Sequence, residues 1–243
     1  MALDKLNIPT ETVDLPSKGI LYSQDNPLSS GQIELKYMTA REEDILTNQS
    51  YIQNGTVVDK LLQSLIVTKV NYDDLLIGDK NAILVAARIL GYGKDYEFEY
   101  NREKYNVDLS QLDNKPLDPS IEKATTNEFP FTLPHTGTNI TFKFLTHGDE
   151  KKIQAELKGL KKLGPNFPEG STRLKHTIRS VEGSDDPKDI RQFVDNHLLA
   201  RDARELRNHI VKIQPDVDLT FFPNDSDRVV SLPIGLSFLY PDI

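Results

Sequence analysis

Ile33-Glu34-Leu35-Lys36-Tyr37-Met38-Thr39 returns as Ile140-Thr141-Phe142-Lys143-Phe144-Leu145-Thr146 at a constant offset of 107, and Glu42-Glu43 falls on Asp149-Glu150. Both stretches alternate apolar and polar residues with period 2, the pattern of a half-buried strand. Both then run into an [ST]-x-x-[DE] pattern, Thr39 to Glu42 and Thr146 to Asp149. There the threonine sits at a helix N-cap, its hydroxyl accepting a free amide while the acid answers the cap's own N–H. First-turn carboxylates also suit the positive end of the helix dipole. A strand that turns into a capped helix, twice, is the unit from which the fold is read.

The matches continue outward in the same order. Leu15-Pro16-Ser17-Lys18-Gly19 answers Leu133-Pro134-His135-Thr136-Gly137 at offset 118, the first copy holding a longer loop from Tyr22 to Gly31. Downstream, Leu75-Leu76, Asp79 and Ile83 answer Leu198-Leu199, Asp202 and Leu206 at offset 123. Tyr96, Phe98 and Tyr100 answer Val217, Leu219 and Phe221 at offset 121. A drift of this kind places the insertions in loops, which tolerate them. The sequence therefore predicts an α+β chain with an internal duplication. Residues 1–112 form a first repeat unit with an N-terminal arm, 113–128 a linker carrying Pro116 and Pro119, and 129–243 a second repeat unit.

Each unit is expected to hold a small β element, a helical segment and a β-hairpin. In the first, Val13, Leu15, Ile20 and Tyr22 flank a Pro-Ser-Lys-Gly turn, and helices run over Val57 to Ile66 and Ala82 to Leu90, stopped by Gly91-Tyr92-Gly93. In the second, helices are expected over Leu174 to Val181 and Ile190 to Ile213. Hairpins join Tyr96–Tyr100 to Tyr105–Leu109 across Asn101 to Lys104, and Val217–Phe221 to Val230–Ile234 across Pro223 to Arg228.

Composition narrows the chemistry. The 243 residues include 37% hydrophobic side chains, enough for a core, and no cysteine, which removes disulfides, thiolate nucleophiles and cysteine-held metals. A net charge of −8 sets the whole molecule against nucleic acid and anionic membranes. Apolar runs such as Ala82 to Ala87 are too short to span a bilayer, and Met1 to Pro9 lacks the apolar stretch of a signal peptide.

The chemistry-bearing strings read as structure. His147-Gly148-Asp149-Glu150 could bind metal or shuttle protons, but its counterpart Ala40-Arg41-Glu42-Glu43 has no imidazole, and helix capping by Thr39, Glu42, Thr146 and Asp149 explains both. His176, His197 and His209 lack the His-x-x-x-His spacing of a zinc helix, and Gly91-Tyr92-Gly93-Lys94 lacks the spacing of a phosphate loop. Glu42, Glu43 and Asp44 fan around a helix and cannot flank one bond. No catalytic, cofactor-binding or metal-binding residue is expected. Lys151 to Arg179 holds eight Lys/Arg against Glu156 and Glu169, with Phe167 as its one aromatic; it reads as a solvated helix face or a surface for an acidic partner. The apolar end from Leu232 to Pro241 must bury somewhere, on its own domain or on another chain. Leu236, Phe238, Tyr240 and Pro241 are its interface candidates.

At these residues the chain resembles the baseplate hub proteins of T4-type contractile-tailed bacteriophages. The likeness is carried by Leu15 to Gly19, Lys36 to Leu46, Asp59-Lys60-Leu61-Leu62, Ala86 to Gly93, Ala200 to Arg204 and the aromatic-Pro ending, and it covers most of the chain. It implies a protein of the central hub or of hub assembly, found in the virion baseplate or in the host cytoplasm during assembly. Its partners would be other hub or tail proteins, with no nucleic acid, no membrane insertion and no cofactor; the oligomeric state does not follow. Some relatives resemble zinc ribbons at the hairpins, with Cys-x-x-Cys at the tips. Here Asn101-Arg102-Glu103-Lys104 and Pro223-Asn224-Asp225-Ser226 stand instead, leaving Tyr, Phe and Val packing to hold each hairpin without metal.

Overall fold

The period-2 alternation becomes an antiparallel pair, β1 (Thr10–Asp14) and β2 (Gln32–Lys36), with Val13 opposite Ile33. The computed structural model describes residues 8–162, 168–223 and 229–240. After β2 come α1 (Ala40–Leu46), α2 (Gln49–Gln53), α3 (Val57–Leu65) and α4 (Ile77–Tyr92), then the hairpin of β3 (Asp95–Tyr100) and β4 (Glu103–Asp108). A short α5 (Pro119–Glu122) leads into the second half. There β5 (Phe129–Thr132) and β6 (Asn139–Phe142) are followed by α6 (His147–Lys161), α7 (Glu169–Thr177) and β7 (Ile178–Val181). The chain closes with α8 (Pro187–Asn196), α9 (Ala200–Ile213), the two-residue pair β8 (Thr220–Phe221) and β9 (Val230–Ser231), and α10 (Leu236–Leu239). The class is α+β, helices with, among the described residues, four small antiparallel sheets. No described helix is long and apolar enough to cross a membrane.

Five expectations change. The second hairpin forms strands only over Thr220–Phe221 and Val230–Ser231, and Val217 bridges Asn114 instead. Leu174 to Val181 is not one helix: α7 stops at Thr177, and Ile178–Val181 becomes a third strand pairing with β6, where β-branched Ile178 is buried opposite Phe142. Ile190 to Ile213 is two helices, broken at His197–Leu199. Ile20 and Tyr22 form no strand; successive turns carry the chain through them. The first hairpin turns on Asn101 and Arg102 alone, both at positive φ (51° and 69°), so β4 begins at Glu103.

Contacts recur at the offsets read in the sequence. Lys36 Nζ binds Glu42 at 2.8 Å and Lys143 Nζ binds Asp149 at 2.6 Å. Asp79 accepts from Ser17 N and Oγ (2.9 and 2.7 Å), while Asp202 accepts from His135 N and Thr136 N (2.9 and 3.1 Å). Each buried aspartate thus closes the turn that the Leu-Pro pair opens.

The interior has two centres that trade segments. The first gathers Leu35, Leu61, Ile83 and Phe98, and it also receives Leu232, Phe238 and Leu239 from the chain's far end. The second gathers Phe129, Phe142, Ile190 and Leu206, and it receives Leu21 and Leu76 from the first half. The stretch 113–128 is tied down: Ile121 is fully buried in the second centre, and Asn114 bridges Val217. Cutting the chain at 112 and 129 would therefore divide both cores.

Candidate functional site

The halves meet where α4 begins. Residues Leu75 to Ile77 enter extended, because the Leu76 N-cap has β geometry, and lie antiparallel to the cap of α6. His147 N–H donates to Leu75 O (2.7 Å) and Ile77 N–H donates to Leu145 O (3.1 Å), so amides a helix start leaves unpaired find partners across the junction. Close approach is secured by two glycines. A Cβ on Gly78 would sit 1.8 Å from Pro215 O, and one on Gly148 would sit 3.0 Å from Asp73 O.

Beside this bridge lies a polar cleft of about 640 Å³, whose lining includes Thr56, Asp59, Lys80, His147, Lys151 and Lys158. Lys80 Nζ binds Asp59 at 2.5 Å and reaches His147 Nδ1 at 3.3 Å. An ammonium can only donate, so Nδ1 accepts and the imidazole is neutral, its proton on Nε2 towards Asp73 at 3.9 Å. Burial lowers the His147 pKa and Lys80 and Lys151 add to this, against the carboxylates of Asp59 and Asp73. The Tyr72 hydroxyl donates to Asp59 (3.1 Å), its ring meets His147 edge-on, and burial beside Asp59 pushes the phenol's pKa up. Lys151 closes on Asp73 at 2.7 Å. Lys80 with Asp59 and Lys151 with Asp73 neutralise one another, and the arrangement stitches four helical elements together.

The capping residues lie where their pattern puts them. Thr39 N–H and Oγ both donate to Glu42 (3.0 and 2.6 Å), and Thr146 N–H donates to Asp149 while Asp149 N–H donates to Thr146 Oγ, both at 3.2 Å. Burial works to raise the Glu42 pKa, but hydrogen bonds from Lys36, Thr39 and Ser64 outweigh it and hold the carboxyl at about 2. Asp149 is lowered on the same balance. The two turn-closing aspartates part company. Burial wins at Asp79, whose pKa is raised, whereas the bonds from His135 and Thr136 win against burial at Asp202, whose pKa is lowered. Asp79 also anchors Tyr22, whose hydroxyl donates to it at 2.6 Å and accepts from Leu76 N–H.

The other candidates resolve individually. His176 pairs with Glu156, His209 stacks on Phe131 with centroids 4.7 Å apart, and His197 is exposed. Among the described residues no cluster of three or more His, Asp or Glu is placed to hold a metal ion. Much of the basic stretch is paired: Lys151 with Asp73, Arg173 with Glu150 and Glu169, and Lys175 with Asp195. Phe167 lies outside the described residues.

The apolar end finds its receiving surface within the chain. Phe238 and Leu239 are fully buried in the first core, Leu236 and Tyr240 are partly buried against it, and Pro241 lies outside the described residues. Phe238 meets Tyr96 edge-on at 4.8 Å, and Phe221 joins Phe98 and Tyr105, so both hairpins share one aromatic cluster. Phe238 thus takes neither course the sequence offered: it is buried within the chain, but in the first core and not in its own half.

What sequence reasoning passed over is the contact of Leu75 to Ile77 with Leu145 to His147. Its signal was present as the Leu75-Leu76 match, but nothing in it says that these leucines dock on the cap of α6. No family model, no curated protein and no solved structure matches this chain.

Proposed function

We propose that this chain is a structural or assembly protein of the baseplate hub of a contractile phage tail, acting by protein–protein binding without catalysis, and that its halves are copies of one unit. The observation that carries this reading is where the motifs of the resemblance lie. Leu15 to Gly19 forms the turn clasped by Asp79, and Lys36 to Glu42 forms the ion-paired strand-to-helix corner. Arg41, Glu43, Asp44, Arg201 and Arg204 of the same motifs are exposed. One part builds the scaffold and the other faces outward, as a binding module requires.

Two roles fit this reading, a subunit retained in the virion and an assembly chaperone that acts on the hub and leaves. A cell-wall hydrolase is the less favoured alternative. It needs two carboxyl groups free to flank a glycosidic bond, and of the carboxylates that line the cleft, Asp59 is engaged by Lys80, and Glu150 and Glu169 by Arg173. The protein should be quantified in purified particles and in infected lysate. Stoichiometric recovery with tails supports the subunit, and presence in lysate bound to hub proteins but not in particles supports the chaperone. Absence of hub or tail proteins from its complexes in lysate, or cell-wall digestion by the purified protein, overturns the proposal.

A further inference from the structure

The internal junction uses one face from each half, and each half also carries the counterpart of the face it does not use. In the first half Leu75 to Ile77 is the inserting segment; its counterpart is Leu198 to Ala200. In the second half Leu145 to His147 is the receiving segment; its counterpart is Met38 to Ala40. Leu76 is 4% exposed in the junction, whereas Leu199 is 50% exposed. Phe144, beside the receiving segment, is buried, whereas Tyr37 in its place is only partly so.

The backbone repeats the contrast. In the junction, Leu75 O and Leu145 O accept and His147 N–H and Ile77 N–H donate. Among the described residues, none of the four equivalent groups, Leu198 O, Met38 O, Ala40 N–H and Ala200 N–H, has a hydrogen-bond partner. Both unfilled faces keep the geometry of their filled counterparts: Leu199 and Thr39 are extended N-caps, and Ala203 N–H bonds Leu199 O as Lys80 N–H bonds Leu76 O. Both faces are rimmed by exposed charges. Arg201 and Arg204 flank the inserting face beside exposed Glu205, and exposed Glu43 and Asp44 flank the receiving face beside Arg41.

We propose that the chain associates with further copies of itself head to tail, Leu198–Ala200 of one copy forming an antiparallel bridge with Met38–Ala40 of the next. Ala200 N–H then donates to Met38 O, Ala40 N–H donates to Leu198 O, and Leu199 is buried against Tyr37 and Met38. The two faces differ, so the contact is heterologous and each added copy presents a fresh face, giving a ring or an open chain. Arg201 and Arg41 replace the glycines that let the internal junction close most tightly, so this contact is weaker and dissociates on dilution. The inference rests on the correspondence between the halves and stands whether or not the protein belongs to a tail.

Proline variants of the full chain test it. Ala40 and Ala200 are the first residues of α1 and α9, where proline is tolerated, and their preceding residues are already extended. Each substitution removes one donor N–H from the bridge. Sedimentation velocity on the wild type, up to about 0.5 mM, should show species larger than a monomer that grow with concentration. Ala40→Pro and Ala200→Pro should each remain monomeric, with unchanged circular dichroism. An equimolar mixture should form a dimer and nothing larger, because one intact face remains on each variant. Leu199→Glu, changing an exposed side chain, should behave like Ala200→Pro and serves if a proline variant is misfolded. A wild type that stays monomeric, which leaves these faces to a different protein, overturns the proposal. So does a folded variant that self-associates like the wild type, or a mixture that stays monomeric.

Discussion

Asp79 and Asp202 occupy matching positions and accept from matching turns, yet their donors differ in a way that a single substitution exposes. Asp202 is held by two backbone N–H groups, which cannot turn round, so in Asp202→Asn the new NH2 faces a donor. The expected cost is about 2–3 kcal/mol. Asp79 shares one oxygen between the hydroxyls of Ser17 and Tyr22, which can rotate to accept, and its carboxylate is already disfavoured by burial. Asp79→Asn should cost less than about 1 kcal/mol. Paired urea denaturation curves decide this, and equal losses would contradict it. His147 supplies a pH dependence of definite sign. Its folded pKa lies below the ordinary 6.5, so the unfolded chain takes up the proton first. Its contribution is complete above pH 6.5 and is lost as pH falls through the lowered value. His209 is also lowered by burial and adds to the same slope. The urea midpoint should fall from neutral to mildly acidic pH, and His147→Gln, which can still accept from Lys80, should flatten that decline.

Among the elements, the first hairpin is the most improvable. A two-residue turn with positive φ at both positions favours Asn-Gly, but this chain has Asn101-Arg102, with Arg102 at φ 69°. Arg102→Gly should stabilise the hairpin by about 0.5–1 kcal/mol, the relief of left-handed strain less the entropy a glycine adds to the unfolded chain. A melting temperature at or below that of the wild type would refute this. The strands tolerate the arginine because their inner face is fixed elsewhere, by Tyr96 and Phe98 packed with Phe221 and Phe238.

For the molecule as a whole, the exchange of segments between the two cores makes the far end of the chain a structural part of the near half. Phe238 is fully buried against Tyr96, so Phe238→Ala should cost about 3–5 kcal/mol. The site of the effect is the sharper prediction. Hydrogen exchange should accelerate first in α4 and the β3–β4 hairpin, which this side chain packs against, and least in α7 and α8. Acceleration confined to the second half would refute the assignment of Phe238 to the first core.

The capped strand-to-helix corners and the hydrophobic stripe of α3 were legible in the sequence, because both depend on near neighbours, whereas Asp79 and Asp202 close turns more than 60 residues away. Thr39 and Glu42, or Val57, Leu61 and Leu65, lie within a few residues of one another, where period and spacing decide the geometry. Three features were not legible. Ile178–Val181 became a strand because β6 offered an open edge, a partner some 36 residues away in sequence. His147 became a neutral bridge in a cleft because Lys80, Asp59 and Tyr72 arrive from three other elements. Phe238 could have been buried in either half or in neither, since apolar area attracts without direction and only the arrangement of the whole chain says which surface is near. The sequence alone therefore determined which segments want partners, and the tertiary structure decided which partners they obtained.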